Sequence, residues 1–508
     1  MQRLVRKFGR DRRGNVALMF GLAVLPVAMM VGMGVDVTNA TRVKLSLQDA
    51  TDAAAIALAE KATTIADNQI YPTALSYIRT SYDDTATVTV TNATVDRTNI
   101  VATVDAKVSV PTTFSQLLGV SNMSVTSHAI AKGMLLEIAL VLDNSGSMAD
   151  SAGSGGSKID ALKDAAGAFL DAMFGAQTTS QRVTVGVVPF AYSVNVGTGN
   201  KTATWMDQGT SSSITSEDFK PKTNPFTVWS TMTSSSWAGC VRTRVQPYDV
   251  DDTTPSAGNT LFSPWFMVDE PDDVRHDSTY KYPNNYLDDG GGNCTGNKTG
   301  WSDIKLQQRT CKYYHVKSSG PNGGCTTTPI TPLTANRTTV DSAINAMQPN
   351  GNTNIQEGLM WGWRVLSPNA PFTEGKTYTA PNNRKVVVLM TDGENHPATV
   401  SDSLNINKSE YSAFGYSKWG YLVNSNDFNT IKGAMDDRML VGCENMKAKG
   451  MLIYTIAFGS DTDVAGSAGL LKQCASDPSY YYAPKTSNDL KPVFLKIAQS
   501  INSLRIAQ

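Results

Sequence analysis

Two apolar segments that each run into an aspartate constrain the fold of this chain more than any other feature. Residues 134–142 lead into Asp143, and residues 386–391 lead into Asp392. Nearly continuous apolar runs of this length are typical of strands that are buried on both faces of a parallel sheet. In open α/β sheets, ligands lie beyond the carboxyl ends of such strands, which is where both aspartates stand. The sequence therefore predicts an α/β fold with a polar site at one edge of its sheet.

Strands and helices alternate around these two segments. Further strands are predicted at 183–190 and 451–458, a helix is predicted after 134–142, and another closes the chain. This alternation favours a doubly wound, Rossmann-like parallel sheet. The apolar faces of the two helices comprise Ile159, Leu162, Ala166, Phe169 and Met173, and Leu490, Val493, Phe494, Ile497, Ile501 and Leu504.

The α/β pattern is lost in two places, at about 197–335 and about 396–436. The longer segment holds five tryptophans and four cysteines, whereas disordered linkers are poor in aromatic residues. We therefore expect it to be a folded insertion tied by disulfides. The shorter one leaves the strand that delivers Asp392, so its aromatic residues are expected to flank the site.

Asp143 begins a D-x-S-x-S motif with Ser145 and Ser147. A turn after a strand can direct one carboxylate and two hydroxyls at a single point, and Mg²⁺ prefers such oxygen ligands in octahedral geometry. Three ligands do not complete an octahedron, so other loops must supply the rest; the candidates are 351–355, which opens a helical pattern, and the strand ending at Asp392. The alternative is a simple turn in which short polar side chains bond to their own backbone.

These residues resemble the von Willebrand factor A (vWA) domain. Its metal-ion-dependent adhesion site combines D-x-S-x-S with a threonine on a second loop and an aspartate on a third. Here Thr353 and Asp392 follow Asp143, Ser145 and Ser147 in that order. The resemblance implies a vWA domain at 133–508 that holds Mg²⁺, or else Mn²⁺ or Ca²⁺, with these five residues. It also implies a partner that offers a Glu or Asp carboxylate to the metal.

The amino-terminal end predicts a membrane anchor. Six Arg and Lys residues and one acid precede residue 14, and residues 16–35 carry no charge. Twenty helical residues span about 30 Å, the thickness of one hydrocarbon core. A basic end before an apolar span keeps that end cytoplasmic. We expect a cytoplasmic segment at 1–14, a single transmembrane helix at 15–35 and a periplasmic remainder. A cleaved signal peptide, with a poor cleavage site at 38–40, is the alternative.

The cysteines fit an oxidising compartment. All six lie beyond the predicted span, none forms a C-x-x-C, and an even number favours three disulfides. Proximity in sequence favours Cys443–Cys474. The remaining four, expected to pair with one another in an order left open, are Cys240, Cys294, Cys311 and Cys325.

Residues 36–132 combine a helix with a small sheet. The helical pattern continues past the span, with Pro26 as a kink, and alternating segments at 87–91, 101–110 and 124–131 predict antiparallel strands. A membrane helix followed by a separate soluble helix is the alternative to one long helix. The segment 12–22, the Ala-rich stretch 52–59 and the following strands resemble the TadE/TadG-like proteins of Flp (tight-adherence) pilus assembly. The TadG-like members carry a vWA domain after this module, as expected here.

Together these features predict a non-enzymatic, single-pass inner-membrane protein that uses its metal site in Flp pilus assembly or surface adhesion. The expected partner is an envelope or pilus-assembly protein with an exposed Glu or Asp. With a net charge of −1 and 18% charged residues, the chain is expected to have no overall positive field that would recruit nucleic acid. The alternatives are a metal-assisted hydrolase of the cell envelope, which requires an acid/base group that the sequence does not supply, and a secreted adhesin.

Overall fold

The computed structural model describes residues 13–62, 64–82, 87–97, 100–272, 285–295, 302–397, 399, 407, 409–460, 464–503 and 506–507. The basic segment expected at 1–14 lies almost wholly outside these residues, as do parts of both expected insertions. Two compact units divide the chain: the first unit is Met1–Met134 with Ser503–Gln508, and the second unit is Leu135–Asn502.

The first unit combines two helices with an antiparallel sheet. The structure has one continuous helix that carries both the apolar span and the Ala-rich stretch, in place of the alternative of two separate helices. The elements are α1 (Arg13–Glu60), α2 (Asp67–Ser81), β1 (Val88–Asp96), β2 (Val101–Pro111) and β3 (Asn122–Gly133). Strand β2 lies between β1 and β3. The period of two in the sequence produces this arrangement, because alternate side chains of β2 are buried.

The carboxyl-terminal half of α1 supplies the core of the first unit. Its buried side chains recur at intervals of three and four residues, which places them on one helical face. They pack with buried valines and alanines of β2 and with α2. The helix residues of this face are Val43, Leu47, Ala50, Ala54 and Leu58.

The amino-terminal half of α1 has exposed apolar side chains. Met19, Phe20 and Leu22 are each more than 60% exposed. Among the described residues, the helical stretch Met19–Glu60 is long enough to cross a membrane and contains an 18-residue window with a mean hydropathy of 1.9. This stretch is a candidate membrane anchor by length and composition, criteria that a signal sequence near the amino terminus also meets.

Asp36, one residue past the apolar span, ties α1 to the loop after β2. Its carboxylate accepts backbone N–H groups from Thr113, Phe114 and Ser115 at 2.7–3.0 Å. These hydrogen bonds stabilise the ionised carboxylate and lower the pKa of Asp36 to about 2. The Phe114 ring of the same loop lies over Gly32, where a Cβ atom would meet it at 2.3 Å. A glycine at this position therefore allows close packing on the helix.

The second unit alternates strands and helices as the sequence predicts. Its strands are β4 (Leu135–Asp143), β5 (Val183–Phe190), β6 (Val194–Asn195), β7 (Cys240–Val241), β8 (Thr331–Thr334), β9 (Asn383–Thr391), β10 (Leu452–Ala457) and β11 (Tyr481–Tyr482). Its helices are α3 (Lys158–Phe174), α4 (Ser213–Glu217), α5 (Pro225–Thr231), α6 (Asp303–Gln307), α7 (Arg337–Asn345), α8 (Ile355–Leu366), α9 (Phe428–Ala448), α10 (Ala468–Cys474) and α11 (Ser487–Ser503).

Six strands form the central sheet in the order β11-β10-β9-β4-β5-β8. All neighbouring pairs are parallel except β5 and β8, which are antiparallel. Counted along the domain, this is the doubly wound order 3-2-1-4-5-6, which confirms the predicted fold class. The strand order reverses between β4 and β9, so the crevice at their carboxyl ends is the topological switch point of the sheet.

Helices cover both faces of this sheet, which explains the nearly unbroken apolar strands. Successive residues of β4 point to opposite faces: Ile138, Leu140 and Leu142 join one buried cluster, and Ala139 and Val141 join the other. The first cluster includes residues of α3, α7 and α11, and the second includes residues of α8, α9 and α10. The side chains of β4 from Leu136 to Asp143 are therefore held in the interior of the unit.

The segment between β5 and β8 is folded and has an aromatic core. Phe219, Phe266 and Tyr313 meet edge to face at 5.1–5.9 Å between ring centres, and Phe262 contacts Trp361 of α8 at 4.8 Å. Disulfides join Cys240 to Cys325 and Cys294 to Cys311. The segment thus packs on the face of the sheet that α8 covers, as its tryptophan and cysteine content led us to expect.

The structure departs from the sequence prediction at two boundaries. Residues 331–334 form β8, the antiparallel edge of the central sheet, although the sequence places them in the insertion of about 197–335. Strand β12 (Ile506–Ala507) pairs with β3 and belongs to the first unit, although the expected vWA domain extends to 508. Short edge strands pair through backbone groups and lack a long apolar pattern, so their sequences give little signal.

We predict that the Cys443–Cys474 disulfide stabilises the second unit. This bridge has the pairing expected from sequence proximity, links α9 to α10, and closes a loop with a sequence separation of 31. Replacing both cysteines by alanine should lower the free energy of unfolding by about 3–4 kcal/mol, because the unfolded chain regains loop entropy. Urea unfolding of the oxidised proteins measures this, with reduced wild-type protein as the control. An unchanged midpoint and slope would contradict the prediction.

Candidate metal centre

Asp143 and Asp392 lie at the switch point of the central sheet. Asp143 is the last residue of β4, and Asp392 follows the last residue of β9. The two strands are parallel neighbours with Leu142 opposite Met390, so both aspartates leave the sheet at the same edge. Both side chains are buried, Asp143 completely. The fold therefore brings together two carboxylates that lie 249 positions apart in the numbering.

The carboxylate of Asp143 is fixed by its own loop and by β9. Its Oδ1 atom accepts the backbone N–H of Ser145 at 2.8 Å, and its Oδ2 atom accepts the hydroxyl of Thr391 at 2.6 Å. Sequence reasoning missed Thr391, because a threonine inside an apolar strand has no motif that distinguishes it from a packing residue. Its hydroxyl joins the ends of the two strands directly.

The hydroxyls of the first loop and the carboxylate of Asp392 form one cluster. Ser147 donates a hydrogen bond to Asp392 Oδ1 at 2.8 Å, and the hydroxyl oxygens of Ser145 and Ser147 lie 3.2 Å apart. Asp143, Ser145, Ser147 and Asp392, all selected from the sequence, are therefore linked through contacts of hydrogen-bond length.

Lys158 is a second residue that sequence reasoning missed. Its ammonium lies 2.9 Å from Asp392 Oδ2, and its side chain is 7% exposed. A capping box formed by Ser157 and Asp160 starts α3 at Lys158 and so fixes the position of this lysine. The sequence did contain a signal for this residue. A lysine at the first position of an amphipathic helix does not belong to the apolar face, so packing of that face does not account for it. Lys158 supplies positive charge to Asp392 in the structure.

Backbone hydrogen bonds hold the second loop against the first loop and against the end of β5. Gly146 N–H donates to the carbonyl of Gly351 at 2.8 Å, and Asn354 N–H donates to the carbonyl of Ala191 at 3.0 Å. Gly351 has a positive φ of 85°, a conformation that favours glycine. Asn354 then caps α8 by accepting the N–H of Glu357. Thr353 is thereby placed at the edge of the sheet beside the first loop.

An open cavity of about 290 Å³ joins these loops. Ser147, Thr353 and Asp392 line it, so all three loops expected from the sequence contribute to one surface. Asp150, Lys158, Gly351, Asn352, Gly393, Glu394 and His396 complete the lining. The cavity gives solvent and ligands access to the cluster of hydroxyls and carboxylates.

A second, smaller cavity lies next to the first, and His396 lines both. Its wall is largely apolar and comes mostly from residues 396–435, with Phe414, Tyr416 and Tyr421 among the aromatic members. Tyr192 connects the two cavities, because its hydroxyl donates to Glu410 at 2.7 Å and accepts from Asn352 at 2.6 Å. Aromatic side chains from the shorter insertion therefore flank the cluster, as expected.

The electrostatics of the cluster favour a cation. Burial, together with the neighbouring charge of Asp392, raises the pKa of Asp143 to about 7. Two carboxylates at the ends of adjacent strands repel each other unless positive charge lies between them, and hydroxyl and carboxylate oxygens are ligands that Mg²⁺ prefers. The five predicted residues therefore fit a divalent cation chemically.

Metal sites built mainly from His, Cys, Asp and Glu side chains belong to a different class from this cluster. Within the part of the chain that the structure describes, no group of three or more such side chains is arranged to hold a metal. The present cluster has only two carboxylates and takes its other oxygens from serine and threonine. We expect this cluster to bind a cation through the placement of its oxygen atoms and two negative charges, rather than through many carboxylates.

Comparison with known families adds to this geometry at the amino terminus. Residues 14–60 match the family Tad, described as putative Flp pilus-assembly TadE/G-like. The chain carries a TadE/G-like module at its amino terminus. The match covers most of α1 and agrees with the resemblance noted in the sequence. No curated protein matches the chain.

Several solved structures resemble the chain weakly. The vWF domain of the type V pili tip protein Mfa5 from Porphyromonas gingivalis is 11% identical, covers 74% of this chain and 98% of its own, and has a TM-score of 0.34. The PilB minor pilin from Streptococcus sanguinis is 11% identical, covers 83% of this chain and 79% of its own, and has a TM-score of 0.34. The pilus adhesin SpaC from Lactobacillus rhamnosus GG is 12% identical over 82% of this chain and 34% of its own, with a TM-score of 0.32. With TM-scores this low, we draw no functional conclusion from them.

We predict that the cluster binds Mg²⁺ or Mn²⁺ in a pH-dependent way. Calorimetric titration should detect binding by the wild type and none by Asp143→Ala/Asp392→Ala. Because the pKa of Asp143 is raised, a proton competes with the metal. Affinity should be full above pH 7 and fall by up to about tenfold per pH unit below it.

Two control variants sharpen this titration. Asp150→Asn removes a carboxylate that lines the same cavity outside the predicted ligand set, so it should bind metal like the wild type. Lys158→Met removes the ammonium from Asp392 and should bind metal more tightly than the wild type. Equal binding by the wild type and the double aspartate variant would show that the ion is held elsewhere.

Proposed function

We propose that this protein is anchored in the bacterial inner membrane and uses its second unit to bind a carboxylate-bearing partner through a divalent cation. The activity belongs to Flp pilus assembly or pilus-mediated adhesion. The observation that carries the proposal is the joining of three separate loops, through Ser147, Thr353 and Asp392, around one open cavity at the switch point.

The charge and composition of the cluster support binding of an anion. Asp143 and Asp392 balance the two positive charges of the cation, and the hydroxyls of Ser145, Ser147 and Thr353 add none. A divalent cation held there would present an exchangeable position to an anionic oxygen. Lys158 adds positive charge beside it, since this residue lines the same cavity. A Glu or Asp side chain of a partner has the charge and the oxygen atoms to fit this position.

The surroundings of the cluster favour a protein as that partner. The second, largely apolar cavity next to the site is walled by Phe414, Tyr416 and Tyr421. Aromatic side chains are enriched at the cores of protein interfaces. A partner carboxylate in the first cavity would place its neighbouring side chain near the second. The TadE/G-like module supports a pilus-assembly component as this partner.

The proposal is one of binding rather than catalysis. The carboxylate oxygens of Asp143 and Asp392 already contact Ser145, Thr391, Ser147 and Lys158. Their proposed role as metal ligands leaves neither of them free to act as a general acid or base. His396 is exposed and meets the Phe428 ring edge to face at 5.1 Å between ring centres. Hydrolysis of an envelope polymer by the purified protein is the result that would favour the enzymatic alternative.

We predict a single-pass topology with residues 36–508 in the periplasm. The reason is the charge-free span, whose apolar side chains are exposed on α1. Protease added to spheroplasts should degrade the second unit while a cytoplasmic marker stays intact. Protection of the second unit would overturn the topology. Recovery of the intact second unit in the culture medium, with a mature amino terminus near residue 41, would favour the secreted adhesin.

We predict that Asp143→Ala or Thr353→Ala abolishes surface piliation or adhesion in cells at unchanged protein abundance. Each change removes one metal ligand while leaving the apolar strands and their helices in place. Electron microscopy and adhesion counts measure the effect, and immunoblotting measures abundance. Asp150→Asn is the matched control, because it changes charge in the same cavity and should leave piliation normal. Normal piliation with a stable, metal-free Asp143→Ala protein would show that the site has no part in assembly.

A further inference from the structure

Three charged side chains are buried together inside the segment between β5 and β8, far from the metal centre in sequence. The Lys312 ammonium and the Asp269 carboxylate are both 0% exposed, and the Asp289 side chain is 2% exposed. Lys312 is 43 positions from Asp269 along the chain. The TadE/G-like module does not include these residues, and the proposed metal site does not use them.

The Asp269 carboxylate is held in an asymmetric way. Its Oδ1 atom accepts two backbone N–H groups, from Tyr286 at 2.7 Å and from Leu287 at 2.8 Å. Its Oδ2 atom lies 2.7 Å from the Lys312 nitrogen yet has no hydrogen-bond partner among the described residues. The nitrogen therefore approaches the carboxyl group at contact distance, outside the geometry of a hydrogen bond to this oxygen.

Lys312 is positioned by two further oxygens. Its nitrogen donates to the backbone carbonyl of Asp269 at 3.0 Å and lies 3.2 Å from Asp289 Oδ1. Asp289 is fixed in turn, because its Oδ2 atom accepts the N–H of Asp272 at 2.8 Å. An amine, a carboxyl group and a second carboxylate are thus held within contact distance of one another.

The surroundings disfavour charge. Phe266 and Tyr313 pack edge to face beside Asp269, and the Tyr313 hydroxyl accepts the Asp269 backbone N–H at 2.9 Å. Burial raises the pKa of Asp269 to about 6, in spite of the adjacent lysine, and that of the neighbouring Glu270 to about 7. Desolvation of an ion pair is costly, and transfer of a proton from the ammonium to the carboxylate removes both charges.

We propose that the Lys312 amine and the Asp269 carboxyl group condense to form an intramolecular amide bond. After the proton transfer, the neutral nitrogen of Lys312 attacks Cγ of the protonated Asp269 carboxyl, and negative charge collects on Oδ1. The N–H groups of Tyr286 and Leu287 stabilise this oxyanion. The Asp289 carboxylate takes a proton from the nitrogen and delivers it to Oδ2. The Cγ–Oδ2 bond then breaks, and one water molecule leaves, so that all atoms and charges balance.

The geometry explains how such a reaction can occur without a cofactor. Amines and carboxylic acids do not condense at neutral pH in water, since both are ionised there. Fixing the two groups in contact raises their effective concentration to about 10⁵ M or more. Exclusion of water prevents hydrolysis of the product. The alternative is that Lys312, Asp269 and Asp289 keep these positions as buried ions and form no new bond. A mass measurement distinguishes the two directly.

Peptide mapping of the full-length protein, purified in detergent, reduced and alkylated, tests the proposal. Trypsin normally releases peptides 245–275 and 310–312 separately. Acylated Lys312 resists cleavage, so the expected product is 245–275 joined to 310–317, lighter than the sum of the two by one water molecule. Recovery of free 310–312 with no joined product from wild-type protein would overturn the proposal.

Three variants assign the roles. Lys312→Arg keeps the charge and should give only unjoined peptides, because a guanidinium does not acylate. Asp269→Asn should still join, losing ammonia in place of water, and give a product of the same mass as the wild type. Asp289→Asn should greatly reduce the joined fraction, because asparagine cannot carry the proton. Wild-type joining in Asp289→Asn would remove Asp289 from the mechanism, and joining in Lys312→Arg would place the bond elsewhere.

Discussion

The burial of Asp143 and Asp392 at the ends of neighbouring parallel strands is the constraint on which the account of the second unit depends. Burial and the neighbouring charge of Asp392 raise the pKa of Asp143 to about 7. The structure compensates with donors: Ser145 N–H and the Thr391 hydroxyl on Asp143, and the Ser147 hydroxyl and Lys158 ammonium on Asp392. A divalent cation would compensate the same charges more completely, which is why we propose one there.

The sheet explains why these residues meet. A strand order of 3-2-1-4-5-6 places the first and fourth strands side by side and leaves a crevice where their crossover connections turn in opposite directions. The first loop follows β4, the third follows β9, and backbone hydrogen bonds from Gly146 and Asn354 fix the second. The longer insertion packs its aromatic core on the face of the sheet that α8 covers, through contacts such as Phe262 with Trp361. None of the residues that line the cavity at the switch point comes from this longer insertion, so the insertion leaves the crevice open.

Much of this arrangement could be predicted from sequence, because it depends on patterns with a single physical meaning. Continuous apolar runs predicted β4 and β9, and periodic apolar residues predicted α1, α3 and α11. The D-x-S-x-S motif selected residues that the fold brings together. Contacts made only in three dimensions could not be predicted: Lys158 reaches Asp392 from a helix start 234 positions away, and Lys312 reaches Asp289 and Asp269 inside an insertion without regular pattern. Short strands such as β8 and β12 were also beyond prediction, since backbone pairing leaves little trace in side-chain order.

Anomalous diffraction from crystals of the protein grown with Mn²⁺ tests the central claim most directly. The account predicts one strong peak at the switch point, roughly 2–2.5 Å from oxygens of Ser145, Ser147 and Thr353 and bound directly or through water to Asp143 and Asp392. It also predicts that the Lys158 ammonium moves away from Asp392 Oδ2, which it contacts at 2.9 Å in the present structure. Absence of a peak there at saturating Mn²⁺, with the lysine still in contact with the carboxylate, would contradict the claim.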